Sequence, residues 1–176
     1  MKRLVFVVDM VNGFVKFGAM ADCKIAEIIP NIIEKIKSCD DVHFLCDNHD
    51  ANDLELSFGY PLHCLENSDE SKIVEELKIF ANHKNVTFKK STNAFFKLDK
   101  KILDDFDEFI ITGCCTDICV LQFALTLKAY LNEFNINKRV IVPANCVETF
   151  NAPTHNREYY NEIALNLIKN AGAEVI

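Results

Sequence analysis

The hydrophobic pattern of this chain switches repeatedly between two periods. Apolar runs at residues 4–8, 42–46, 86–88, 109–112, 139–142 and 174–176 are too short for helices and read as strands. Between them, Ile25, Ile28, Ile29, Ile32, Ile33 and Ile36 form one stripe at helical spacing, which Pro30 must kink or restart. Ile73, Val74, Leu77 and Phe80 mark a second stripe, and residues 116–131 form a third helix that is almost wholly apolar. Tyr160, Ile163, Ala164, Leu167, Ile168 and Ala171 mark a last helix that Gly172 can cap. Strands alternating with helices predict a parallel sheet covered on both faces and reached by right-handed crossovers. The expected fold is α/β: a three-layer α/β/α sandwich around a six-stranded, mainly parallel, Rossmann-like sheet. No linker, repeat or low-complexity stretch interrupts the pattern, so one domain over residues 1–176 is expected.

Composition narrows the function classes. Hydrophobic residues make up 49% of the chain, enough for a sizeable core. Nineteen basic residues against 26 acidic ones give a charge of -7, and no basic cluster marks a phosphate-tracking surface, so nucleic acid is not an expected partner. Asp9 interrupts the N-terminal apolar run too early for a signal peptide, and no run approaches the roughly 20 residues of a membrane span. A soluble, cytoplasmic protein without a membrane partner is expected. Eight cysteines could suggest a disulfide framework, but that device belongs to short secreted chains, and no CxxC pair supports a zinc knuckle. Reduced thiols are expected.

In open parallel sheets the ligand site lies at the carboxyl ends of the strands. Asp9 directly follows the first strand, Asp47 and His49 the second, Lys89 ends the third, and residues 113–119 lead from the fourth into a helix. Each alone has an ordinary explanation as a loop cap, a solvated charge or a buried structural thiol. Their convergence on one edge of one sheet favours chemistry. Cys119 falls in the first turn of its helix, where the dipole and free backbone N–H groups favour a thiolate and could hold an oxyanion. Gly113 allows the sharp turn, and Thr116 or Asp117 can cap it. Asp47 and His49 share one side of an extended segment and, with the distant His63, could bind zinc, iron or manganese, or could simply be surface polar groups.

The run Gly113-Cys114-Cys115-Thr116-Asp117-Ile118-Cys119-Val120 resembles the Gly-x-x-Thr-Asp-x-Cys-Val signature of the isochorismatase-like cysteine hydrolases. Val7-Val8-Asp9 with Phe14 five residues on, and Phe88-Lys89-Lys90-Ser91-Thr92-Asn93-Ala94-Phe95, resemble that family's other two motifs. Residues 142–150 with His155 also resemble its C-terminal part. The resemblance implies catalytic roles for Asp9, Lys89 and Cys119, with spacing alone leaving Lys90 as a rival to Lys89. It further implies an oxyanion hole from the backbone N–H groups of Cys115 and Cys119, with a cis peptide before Cys115.

Asp47-Asn48-His49 and Pro61-Leu62-His63-Cys64 resemble the metal loop of the nicotinamidase branch. This implies Asp47, His49 and His63 as ligands of a divalent transition metal, zinc foremost with iron or manganese as alternatives, and Glu55 as a candidate fourth ligand. Phe14 and Phe95 would wall a flat ring. The implied reaction converts nicotinamide and water to nicotinate and ammonia through a thioester on Cys119, and the resemblance also implies a homo-oligomer. Val11-Asn12-Gly13 and residues 65–70 depart from the family pattern beside the expected pocket, which bears on the substrate. Two other readings stay open: hydrolysis of another small amide or of a vinyl ether on the same fold, and a non-enzymatic redox or binding module acting through its cysteines.

Overall fold

A computed structural model describes residues 1–176. Seven strands form one sheet: β1 (Arg3–Val8), β2 (Asp41–Asp47), β3 (Val86–Lys89), β4 (Glu108–Cys114), β5 (Arg139–Val142), β6 (Val147–Glu148) and β7 (Glu174–Val175). The order is β3-β2-β1-β4-β5-β7, with β6 paired to β4, and every pairing is parallel. The six strands expected from sequence are present, so the sheet is the mainly parallel one anticipated. The additional strand, β6, is two residues long and carries no periodic signal. It pairs Gly113 and Cys114 beyond the point where β5 stops pairing at Ile110, completing the C-terminal end of β4.

Strand β1 shows how one sequence feeds two layers. Leu4, Phe6 and Val8 join a core with Phe109, Phe123 and Leu127, while Val5 and Val7 join another with Ile25, Ile32, Phe44 and Ile110. Side chains that alternate across a strand, all apolar, require cover on both faces. On the first face α4 (Leu121–Glu133) inserts Phe123 edge-on against Phe6, with ring centroids 5.0 Å apart. On the second, α2 (Ile29–Ser38) buries Ile29, Ile32 and Ile36. Pro30 sits at the start of α2, after a 3-10 helix over Cys23–Ile28, so the proline restarts the stripe where its missing N–H costs least.

The second expected stripe shrinks to α3 (Glu75–Lys78). Its leading residues are taken up elsewhere: Ile73 bridges Val11 and the N–H of Val74 donates to Met10, which holds this stretch extended. The last helix, α5 (Arg157–Asn170), is capped by Asn156 and followed by Gly172 at φ 91°. No helix is long and apolar enough to cross a membrane.

The strand order reverses direction around β1, whose neighbours are β2 and β4. Ligand sites of open α/β sheets form at such a switch point, here framed by the segments leaving β1, β2 and β4.

Candidate active site and metal centre

Asp9 leaves β1 in the left-handed region at φ 50°, a conformation Asp tolerates better than most side chains. This turns its carboxylate toward β2, where Oδ1 accepts the N–H of Asp47 at 2.9 Å. Lys89 closes β3 and is 1% exposed, whereas Lys90 is exposed and reaches Asp53 at 3.2 Å. Opposite orientations of consecutive residues at the strand end thus distinguish the two lysines that spacing left open. Lys89 Nζ lies 2.8 Å from Asp9 Oδ2 and 3.8 Å from Cys119 Sγ, and it is also hydrogen-bonded to Asp47.

Cys119 comes from β4 by a tight route. Gly113 has φ 108°, and a Cβ there would lie 2.0 Å from the carbonyl oxygen of Val8, so only glycine fits against β1. A cis peptide joins Cys114 to Cys115, as the family resemblance implied. The chain then makes a π-helical turn, Thr116–Val120, which runs into α4. Neither Thr116 nor Asp117 caps it. Cys115 is the N-cap and makes no side-chain cap, Thr116 Oγ1 is buried without a partner, and Asp117 faces Thr149 and His155.

The two carboxylates of this site differ electrically although they flank the same ammonium. Burial, reinforced by the charge on Asp47, pushes Asp9 up to about 6 against the pull of Lys89. Burial also opposes the charge on Asp47, but Lys89 outweighs it and, with two imidazoles facing Oδ2, holds this carboxyl well below the usual range. Lys89, despite burial, is held charged by Asp47 and Asp9, and burial pushes the Cys119 thiol up against the pull of Lys89. The site therefore contains a neutral thiol, a fixed cation, a carboxylate that stays ionised and another within reach of a proton.

His49 and His63 each place Nε2 3.6 Å from Asp47 Oδ2, and one donor atom from each of the three residues lies within 4.8 Å of the others. His63 Nδ1 donates to the Pro61 carbonyl at 2.8 Å, leaving Nε2 as the ring atom that faces Asp47. His49 Nδ1 faces Asp53 Oδ2 at 3.3 Å, while its Nε2 is buried without any hydrogen-bond partner. An orphaned imidazole nitrogen beside an anionic carboxylate, with carboxylate and carbonyl behind the two rings, fits a divalent transition metal. Glu55 stands outside this set of three, accepting the N–H of Thr92 at 2.9 Å.

A cleft opens above both groups, lined by Phe14, Asp47, His63, Cys115 and Cys119, and also by Glu55, Tyr60, Thr92, Ile118 and Phe150. Phe14 supplies the expected aromatic wall, 5.4 Å from the His63 ring. Phe95 does not line the cleft. The Asn93 side chain caps its 3-10 turn and directs Phe95 into the core beneath, 5.1 Å from Tyr130 and 6.4 Å from Phe123. Sequence reasoning missed Asp53, Tyr60 and Phe150, which sit in loops where no periodicity marks them.

A parallel sheet with a cysteine on a strand-to-helix turn, beside buried Lys and Asp, is the frame of a thiol hydrolase. Residues 3–176 match the Isochorismatase domain model, and the chain belongs to that family. Nicotinamidase 1 of Arabidopsis thaliana is 26% identical over 207 aligned residues, covering 97% of this chain and 83% of that protein. The crystal structure of nicotinamidase/pyrazinamidase PncA from Bacillus subtilis superposes with a TM-score of 0.76 at 26% identity, covering 99% of each chain. The pyrazinamidase of Pyrococcus horikoshii, solved in complex with zinc, shares the fold at a TM-score of 0.76 and 22% identity, covering 100% of this chain and 99% of that one.

Proposed function

We propose that this protein is a nicotinamidase, hydrolysing nicotinamide to nicotinate and ammonia with Asp9, Lys89 and Cys119 as catalytic residues. The observation that carries the reading is that Lys89 Nζ, 2.8 Å from Asp9 and 3.8 Å from Cys119, also contacts Asp47 of the His49 and His63 cluster. The group that would break an amide bond and the group that would hold a heteroaromatic ring thus share one cleft.

In this mechanism Asp9 accepts the Cys119 proton, for which its raised affinity suits it. The thiolate, stabilised by Lys89, attacks the amide carbon, and the backbone N–H groups of Cys115 and Cys119 receive the developing oxyanion. Asp9 returns its proton to the leaving nitrogen, and ammonia departs as the C–N bond breaks. A water deprotonated by Asp9 then attacks the thioester, and the proton passes back to the departing Cys119 sulfur as nicotinate forms. Zinc, which suits two imidazoles and a carboxylate, would be held by Asp47, His49 and His63 and would supply a Lewis acid for the pyridine nitrogen. Phe14 offers a face for the ring.

The test is ammonia release from nicotinamide by wild type, Cys119→Ala and chelator-treated protein. Turnover by wild type that is lost in both other samples is the expected result. Absence of turnover in metal-loaded wild type would remove nicotinamide as the substrate.

A further inference from the structure

The segment after β6 contains an aromatic stack that the proposed chemistry leaves unused. The His155 ring lies between Phe150 and Tyr160, with centroids 3.9 Å from each and both pairs of planes 10° apart. His155 Nδ1 is 3.0 Å from the carbonyl oxygen of Phe150, and Nε2 is 2.8 Å from Asp117 Oδ2. Asp117 lies in the turn that carries Cys119, and its Oδ1 accepts from Thr149 Oγ1 at 2.5 Å. Phe150 itself lines the cleft.

A carbonyl only accepts, so Nδ1 carries a hydrogen. The contact between Nε2 and Asp117 Oδ2, at 2.8 Å, is a hydrogen bond between the ring and a carboxylate of the turn that bears Cys119. The His155 backbone is fixed as well, exchanging two hydrogen bonds with Ala152 just before α5 begins.

We propose that His155 is a positioning residue that uses its hydrogen bond to Asp117 to lock Phe150 as a wall of the substrate cleft. It grips Phe150 by both ring and carbonyl and ties that residue to the helix bearing Cys119. A wall used equally by substrate and transition state affects KM and leaves kcat unchanged.

The kinetic part of the test rests on the nicotinamidase reading, whereas the imidazole signature needs no substrate, so the two can fail separately. His155→Phe keeps the stack and removes both hydrogen bonds. Asp117→Ala removes the anchor. Each should raise KM for nicotinamide about tenfold, the worth of one such bond, with kcat nearly unchanged. Asp117→Asn can donate to Nε2 of a neutral imidazole and should bring KM back toward wild type. In full-length, 15N-labelled wild type, both ring nitrogens of His155 should show hydrogen-bonded shifts, and Asp117→Ala should abolish the hydrogen-bond signature at Nε2. A wild-type His155 ring without a hydrogen bond at Nε2 would overturn the proposal. So would a fall in kcat without a rise in KM, or unchanged KM in both His155→Phe and Asp117→Ala.

Discussion

Lys89 is the residue on which the site depends electrostatically. It is an almost fully buried cation touching two carboxylates, and its removal leaves Asp9 and Asp47 as buried like charges. Lys89→Met should therefore lower the unfolding free energy by roughly 3–5 kcal/mol, seen as a shifted urea midpoint. Cys119→Ala removes one sulfur and no charge, so it should change stability by only about 1 kcal/mol while abolishing ammonia release. Equal destabilisation by the two variants would contradict this division between charge balance and chemistry. Asp53 acts at one remove, behind His49 at 3.3 Å. Asp53→Ala should weaken metal affinity by about 10- to 100-fold in a calorimetric titration, the usual effect of losing a carboxylate behind a ligating imidazole.

At the scale of elements, the close approach of β4 to β1 makes the turn that carries Cys119 possible. Gly113→Ala would force a side chain onto the Val8 carbonyl at a positive φ, and should cost roughly 3 kcal/mol or more by chemical denaturation. An alanine variant as stable as wild type would show that the turn can shift. The same elements show what sequence reveals. Five of the six expected strands exceed three residues, the runs Leu4–Val8, Phe109–Ile111 and Val140–Val142 within them are wholly apolar, and Pro30 marks a helix start. The stripe Ile73, Val74, Leu77 and Phe80 promised more helix than exists, because bridges from Val11 and Met10 capture its beginning. Helical spacing reports a possible face, and hydrogen bonds to a distant segment can override it.

For the whole molecule, the Asp47, His49 and His63 set brings together β2 and a loop some fifteen residues further along. A metal bound only by the folded arrangement should stabilise the entire fold. Zinc at about 100 times its dissociation constant should add about 2.7 kcal/mol and raise the melting temperature, and a chelator should reverse the rise. His49→Ala with His63→Ala should abolish the zinc-dependent shift. A shift of the same size in that double variant would place the metal elsewhere.

The sequence by itself determined the alternation of strands and helices, the strand ends at which Asp9, Asp47 and Lys89 sit, the helix start that carries Cys119, and the family motifs around them. These follow from local period and from residue types at fixed spacing, which survive without knowledge of neighbours. Only the tertiary structure decided that Phe14 lines the cleft while Phe95 enters the core, that Lys89 and not Lys90 meets both carboxylates, and that Asp117 faces His155 instead of capping its own helix. Each of those outcomes depends on contacts between segments tens of residues apart, whose directions are set when the layers pack and are not encoded in any one stretch of chain.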